Sequence, residues 1–249
     1  GLLTSLSAFL RSTNWRARAV LHGAELVALL PESSALLGLA VDVGTTKLAA
    51  YLVDLGSGKT LAKAGAMNPQ ISFGEDVISR IIYASKGQNL SEMQRLVVET
   101  INRLLAIACQ QAETTPDQVF RVTVAGNTTM MHLLLAIPPE PIRLAPYVPA
   151  VNHIPSLSAA DLGLAVPPQA IVDSLPGVAS YVGADITAGV LRRAWDFRSG
   201  RVPSRAEVEA LLPLVGWSRV RWERPRIALP LAGMELDFGG YVKEYAADR

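Results

Sequence analysis

Three apolar segments, broken at two points by turn residues, constrain this chain more than any other feature. Leu37–Val43 is apolar except at Asp42, and Gly44-Thr45-Thr46 follows as a tight turn. Lys47–Leu55 is a second strand, Gly56-Ser57-Gly58 a second turn, and Thr60–Ala66 a third strand that ends at Met67-Asn68-Pro69. Glycine-rich breaks between short apolar runs predict a three-strand meander. A meander buries one face only against another layer, of helices or of a second sheet.

The sequence supplies helices. Glu75–Ala84 puts Val77, Ile78, Ile81 and Ile82 on one predicted face. Ser91 is the predicted cap of a long helix reaching about Ala112, with Met93, Leu96, Val97, Ile101, Leu104, Leu105 and Ala108 inward. Val119–Ala125 alternates as a strand, and Gly126-Asn127-Thr128 turns it into a helix over Thr129–Ala136. The proline-rich stretch Pro138–Pro155 reads as an irregular connection, and Val178–Arg193 holds a further short helix. The order β-β-β-α-α-β-α predicts the α/β class, a mixed sheet with flanking helices.

Around this unit the chain changes character. Residues 1–12 have helical apolar spacing, and His22-Gly23 lies between two apolar runs as a hairpin turn. Pro31–Ser34 is a break, so residues 1–34 form a linker segment before a unit at 35–193. Residues 192–249 carry 10 arginines and three of the four tryptophans, which marks 194–249 as a separate tail. Within it, Val202–Leu212 reads as a helix capped by Ser204. Trp217–Arg226 reads as an amphipathic edge strand.

Composition removes several functions. Lys plus Arg is 23 and Asp plus Glu is 22, a net charge of +1, which offers no footprint for nucleic acid. A single cysteine, Cys109, excludes a disulfide framework and a cysteine-built iron–sulfur or zinc site within this sequence. His22, His132 and His153 are too scattered for a metal site. No apolar run reaches the roughly 20 residues of a membrane span, so a cytoplasmic protein is expected. The sequence opens on Gly1, as an excised piece of a longer chain would.

The chemistry gathers at Val41-Asp-Val-Gly-Thr-Thr-Lys47. Gly44 lets the backbone approach a phosphate, successive N–H groups make an anion-binding concavity, and Thr45 and Thr46 add hydroxyl donors. Asp42 at the end of a buried strand is costly without a partner, and a magnesium ion held through water would serve. A plain hairpin with Asp42 bonded to backbone N–H groups is the other reading. The pattern is not a Walker loop, because a strand follows rather than a helix.

Four motifs stand in order. They are the hairpin, Asn68-Pro-Gln-Ile-Ser-Phe-Gly-Glu-Asp-Val-Ile-Ser-Arg80, Val124-Ala-Gly-Asn-Thr-Thr-Met-Met-His-Leu-Leu135 and Val182-Gly-Ala-Asp-Ile-Thr-Ala-Gly189. Together they resemble the acetate and sugar kinase, Hsp70 and actin superfamily. Within it they resemble the ATP-dependent reductive activators of corrinoid proteins, over roughly residues 2–191. The resemblance implies a ribonuclease H-like first ATPase lobe, ATP and magnesium as cofactors, and a corrinoid protein of a methyltransferase system as partner. It admits a homodimer. It implies that Asp42 and Asp185 handle magnesium and the attacking water. Gly44, Thr45, Thr46, Lys47, Gly126, Asn127 and Thr128 would then hold phosphates, with Asn68, Gln70 and Asp76 on the substrate side. Plain helix capping is the alternative for Asp76, for Asn127 or Thr128, and for Asp185.

The departures are specific. The family's cysteine-bearing iron–sulfur domain and a second Asp-x-Gly-Thr loop are not found; Leu236-Asp-Phe-Gly-Gly240 is the nearest string. Two other functions remain open at this point: a small-molecule kinase of the same superfamily, and a degenerate lobe that only binds a partner.

Overall fold

The computed structural model describes residues 2–175, 204–211, 221–223 and 226–228. Helix α1 (Leu2–Ser12) leads into the hairpin β1 (Arg18–His22) and β2 (Glu25–Leu30), which turns at Gly23 with φ +60°. The expected N-terminal helix and His22-Gly23 turn are both present. Val20 and Ala28 face each other across this hairpin and pack with Phe120 as a small second core.

The main sheet has six strands in the order β5-β4-β3-β6-β8-β7. Strands β3 (Leu37–Val43), β4 (Lys47–Asp54) and β5 (Thr60–Met67) are the predicted antiparallel meander. Strand β6 (Val119–Gly126) runs parallel to β3, so the chain must cross the sheet between them. That crossing is made by a 3-10 turn at Pro69–Phe73, α2 (Val77–Ala84) and α3 (Asn89–Gln111). Helix α4 (Thr128–Leu134) follows β6, then α5 (Glu140–Arg143), β7 (Leu157–Ser158), α6 (Ala159–Leu162) and β8 (Ile171–Ser174). The expected α/β class with a mixed sheet is the class observed.

Alternation sorts the strands' side chains. Leu37, Leu39, Val41 and Val43 point to the helices with 0–2% exposure, as do Leu48, Ala50 and Leu52. They meet Met93, Val97, Ile101, Leu104, Leu105 and Ala108 of α3 in one continuous core. Burying each of these larger side chains contributes roughly 1.5–3 kcal/mol before entropy is counted.

Two expectations about the helices are corrected. Helix α3 starts at Asn89, not after Ser91, and its cap position Gln88 makes no side-chain capping bond. The start is fixed by α2 instead. Gly87 turns the chain at φ +54°, and Asn89 Nδ2 donates to the Tyr83 carbonyl at 2.9 Å. On α2, Ile78 and Ile82 are 38% and 41% exposed, while Arg80, Ile81 and Ala84 are buried. Asp76 caps this helix, and counting from that cap places positions 77, 80, 81 and 84 inward, so a guanidinium takes a place expected to hold isoleucine.

Pro138–Pro155 is largely irregular, as expected, apart from α5. The strands β7 and β8 and helix α6 were not expected. Two to four residues carry no period to read. Farther on, α7 (Arg205–Leu211) carries the predicted Ser204 cap. Ser204 Oγ accepts from the Glu207 N–H at 3.3 Å, and Glu207 Oε2 accepts from the Ser204 N–H at 2.7 Å. In the expected Trp217–Arg226 strand, β9 (Arg221–Glu223) pairs with β10 (Arg226–Ala228) as a short antiparallel pair. The predicted helix in Val178–Arg193 lies outside the described residues. Among the described residues no helix is long and apolar enough to cross a membrane.

Ile101 has 1% of its surface exposed and Ile107, on the same helix, has 38%. Ile101→Ala is expected to cost about 2–5 kcal/mol in urea denaturation. Ile107→Ala should stay within about 0.5 kcal/mol of the parent.

Candidate phosphate-loop site

The site is built where β3 and β4 meet the end of β6. Gly44 N donates to the Lys47 carbonyl at 3.0 Å and closes the turn between β3 and β4. A Cβ on Gly44 would stand 2.6 Å from that carbonyl oxygen, so the turn admits only glycine. Thr46 and Lys47 are exposed at its tip and Thr45 is half-buried.

Two asparagines brace the turn from opposite sides. Asn68, just past β5, uses every polar atom it has. Its backbone N–H donates to the Thr46 carbonyl at 2.9 Å, and its Nδ2 donates to the Gly44 carbonyl at 2.8 Å. A second amide hydrogen reaches the Met130 sulfur at 3.7 Å, and Oδ1 accepts from the Gln70 N–H at 2.9 Å. Asn127, at the end of β6, donates from Nδ2 to Thr45 Oγ1 at 2.9 Å. Its Oδ1 caps α4 by accepting from the Met130 N–H at 2.9 Å. The capping reading and the site reading of Asn127 are therefore served by different atoms of one side chain.

The remaining expected residues fall as follows. Gly126 pairs with Val43, and Asp42 sits in register between Ala49 and Ala125. The first and third motifs thus share one sheet edge. Asp42 is exposed, which corrects the expectation of a buried, costly carboxylate. Strand alternation turns it away from α3, onto the face where its flanking residues are alanines. Asn68 and Gln70 are 1% and 0% exposed and lie beneath the turn. Gln70 Nε2 donates to the Met93 carbonyl at 3.0 Å, tying the segment to α3. Asp76 accepts from the Ser79 N–H at 2.9 Å and the Ser79 hydroxyl at 2.7 Å, and these bonds hold its carboxyl below the ordinary range. That is the capping alternative. Thr128 is 3% exposed, so its side chain is enclosed by the fold. Asp185 and the Leu236–Gly240 string lie outside the described residues. Among the described residues no three His, Cys, Asp or Glu side chains group as a metal site.

Sequence reasoning missed two buried polar residues. Arg80 is fully buried, and its only sequence signal was its position four residues after the Asp76 cap. His132 is 1% exposed. Its Nδ1 lies 2.8 Å from the Thr128 carbonyl, which can only accept, so Nδ1 carries the hydrogen. Burial pulls its pKa below the ordinary value, against a smaller upward pull from that carbonyl.

A family model described as the RACo middle region matches residues 37–196. The chain belongs to that family. A curated relative, "Corrinoid activation enzyme RamQ" of Eubacterium limosum, is 33% identical over 180 residues, covering 71% of this chain and 30% of the relative. A solved structure titled "Reductive activator for corrinoid,iron-sulfur protein" aligns with TM-score 0.70 and 40% identity, over 77% of this chain and 32% of that one. The expected family is upheld, and so is the expected α/β class, a six-strand mixed sheet consistent with an actin-like, ribonuclease H-like lobe. The chain spans about a third of the length of these two relatives. Residues 179–249 match a different model, that of the ApbE family, and overlap the first match through 196.

A Cβ on Gly126 would lie 2.9 Å from the Val43 carbonyl oxygen, whereas one on Gly65 would meet nothing nearer than 3.5 Å. Gly126→Ala in a RACo-region chain such as this should cost about 1–3 kcal/mol in thermal or chemical denaturation, and Gly65→Ala far less. His132 gives a pH prediction. Its folded pKa lies below the unfolded value of about 6.5, so acid lets the unfolded chain take a proton the folded chain refuses. Stability should fall as pH drops through 6.5, by up to about 1.4 kcal/mol per pH unit until the folded pKa is reached. Urea titrations at several pH values should show a smaller acid loss in His132→Gln.

Proposed function

We propose that residues 35–193 form the first phosphate-binding lobe of an ATP-dependent reductive activator of corrinoid proteins. The observation that carries this is the bond from Asn127 Nδ2 to Thr45 Oγ1, together with the Val43–Gly126 pairing. Two motifs 82 positions apart are locked at one edge, and the tip between them stays exposed. A plain hairpin needs no such brace.

The residues present fit a magnesium nucleotide. Asp42 offers an exposed carboxylate, in register between the small residues Ala49 and Ala125, of the kind that holds a hydrated magnesium ion. Lys47 and Thr46 stand exposed at the turn, where charge and a hydroxyl can meet phosphate oxygens. Asn127 fixes the Thr45 hydroxyl, and Asn68 fixes the carbonyls on either side of it. Phosphoryl transfer needs positioning and charge neutralisation above all. When bound, Mg–ATP would supply the free energy that drives reduction of cob(II)alamin to cob(I)alamin. The protein's share in that is a turn held rigid from behind and open in front.

The boundaries 1–34, 35–193 and 194–249 belong to the same proposal, with the RACo middle-region match over 37–196 as support for the central unit. Asp185 would face the same nucleotide from the fourth motif. An iron–sulfur domain and a second lobe would come from polypeptide other than these 249 residues, and a corrinoid protein of a methyltransferase system would be the partner.

The test exchanges residues 37–196 of this chain into a full-length reductive activator. ATP-driven corrinoid reduction should survive the exchange. Asp42→Asn in that protein should lower its rate on the order of 100-fold, the scale of losing one charge-stabilising group. A folded exchange protein whose rate ignores Asp42→Asn would overturn the reading.

A further inference from the structure

We propose that Arg80 is a positioning residue for the Gly44–Lys47 turn, acting through the Met130 thioether and Asn68. This rests on the reading that the turn receives nucleotide phosphates.

A guanidinium with no exposed surface is costly unless its donors are used. Arg80 Nε donates to the Gly74 carbonyl at 2.8 Å, and one terminal nitrogen donates to Met130 Sδ at 3.4 Å. The same sulfur takes the Asn68 amide at 3.7 Å, and that amide nitrogen also donates to the Gly44 carbonyl at 2.8 Å. The line runs from α2 through α4 to the turn: Arg80, Met130, Asn68, Gly44. Sulfur suits the junction. It is a large, polarisable acceptor that can take two donors at long range, where an aliphatic side chain of equal volume takes none.

Each member is held from another side. Met130 is 1% exposed, and its N–H is capped by Asn127, the residue that grips Thr45. Gly74 has no room for a Cβ, which would stand 2.6 Å from the Ser79 Cβ, so its carbonyl can lie close under Arg80. Asn68 must present its amide nitrogen, not its oxygen, to the Gly44 carbonyl. Two things enforce that orientation. The Gln70 N–H donates and so needs an oxygen opposite it, and the Met130 sulfur, which also takes a donor from Arg80, accepts only from an N–H. Arg80 thereby fixes which way round Asn68 sits, and Asn68 fixes the turn.

The test uses the 249-residue chain, read by NMR at the Asn68 side-chain amide pair and the Gly44 amide. Mg–AMPPNP, a non-hydrolysable ATP analogue, is the titrant. Met130→Leu keeps the volume and removes the acceptor. It should move the Asn68 amide pair and the Gly44 resonance while the thermal midpoint changes little. It should also weaken analogue binding about threefold to tenfold, the scale of coupling between neighbours. Arg80→Met should do the same, the double variant should add nothing further, and Arg80→Lys should recover part of the loss. Unmoved Asn68 and Gly44 resonances in Met130→Leu would overturn the proposal. So would a binding loss in the double variant equal to the sum of the single losses. If the parent chain binds too little analogue to titrate, the binding comparison is made in the full-length exchange protein, and the two resonances in the 249-residue chain still decide whether Arg80 positions the turn.

Discussion

Everything at the site depends on the parallel pairing of β3 with β6. It sets Val43 beside Gly126, so that the turn leaving one strand and the helix leaving the other start from the same edge. A parallel neighbour cannot be reached by a tight turn. The 51 residues from 68 to 118 between β5 and β6 make the crossing, and they carry α2 and α3 onto one face of the sheet. The core that results is one-sided, and that is why Asp42 ends up in the open while its neighbours Val41 and Val43 are buried.

The bracing of the turn has a division of labour. Backbone groups close it, through Gly44 N to the Lys47 carbonyl. Side chains from elsewhere fix its attitude, with Asn68 holding carbonyls and Asn127 holding a hydroxyl. Each bond by itself contributes on the order of 1 kcal/mol to stability. Their combined effect is on precision, because the groups they leave exposed, Thr46 and Lys47, sit on a frame with few ways to relax. The similarity to reductive activators and the match to the RACo middle region concern this same frame. The ApbE-like stretch begins only after it.

Much of this was legible in the sequence, and the reasons are particular. The meander was readable because Gly44 and Gly56–Gly58 interrupt apolar runs at strand-length intervals. The site motifs were readable because a glycine needed at a turn has no substitute. The bracing was not readable. That Asn68 reaches Gly44, or Asn127 reaches Thr45, follows from strand register, which a single sequence does not state. The burial of Arg80 was not readable either, because helical periodicity counts an arginine as polar and therefore outward. The short strands β7 and β8 left too few residues for a pattern. Ser91 looked like a cap, yet α3 takes its start from the end of α2.

Strand length at β5 has a consequence for which insertions the fold can absorb. β4 and β5 are each eight residues long, and their register runs from Lys47 opposite Met67 to Val53 opposite Thr60. The turn joining them, at 55–59, is at the end of the sheet away from the site. Residues added there lengthen a loop and leave Asn68 where it is. One residue added between Thr60 and Asn68 reverses the inward and outward faces beyond it, and Asn68 would point to solvent. The family's length variation should therefore collect at 55–59, while the spacing from Thr60 to Asn68 acts as a ruler that evolution cannot easily stretch.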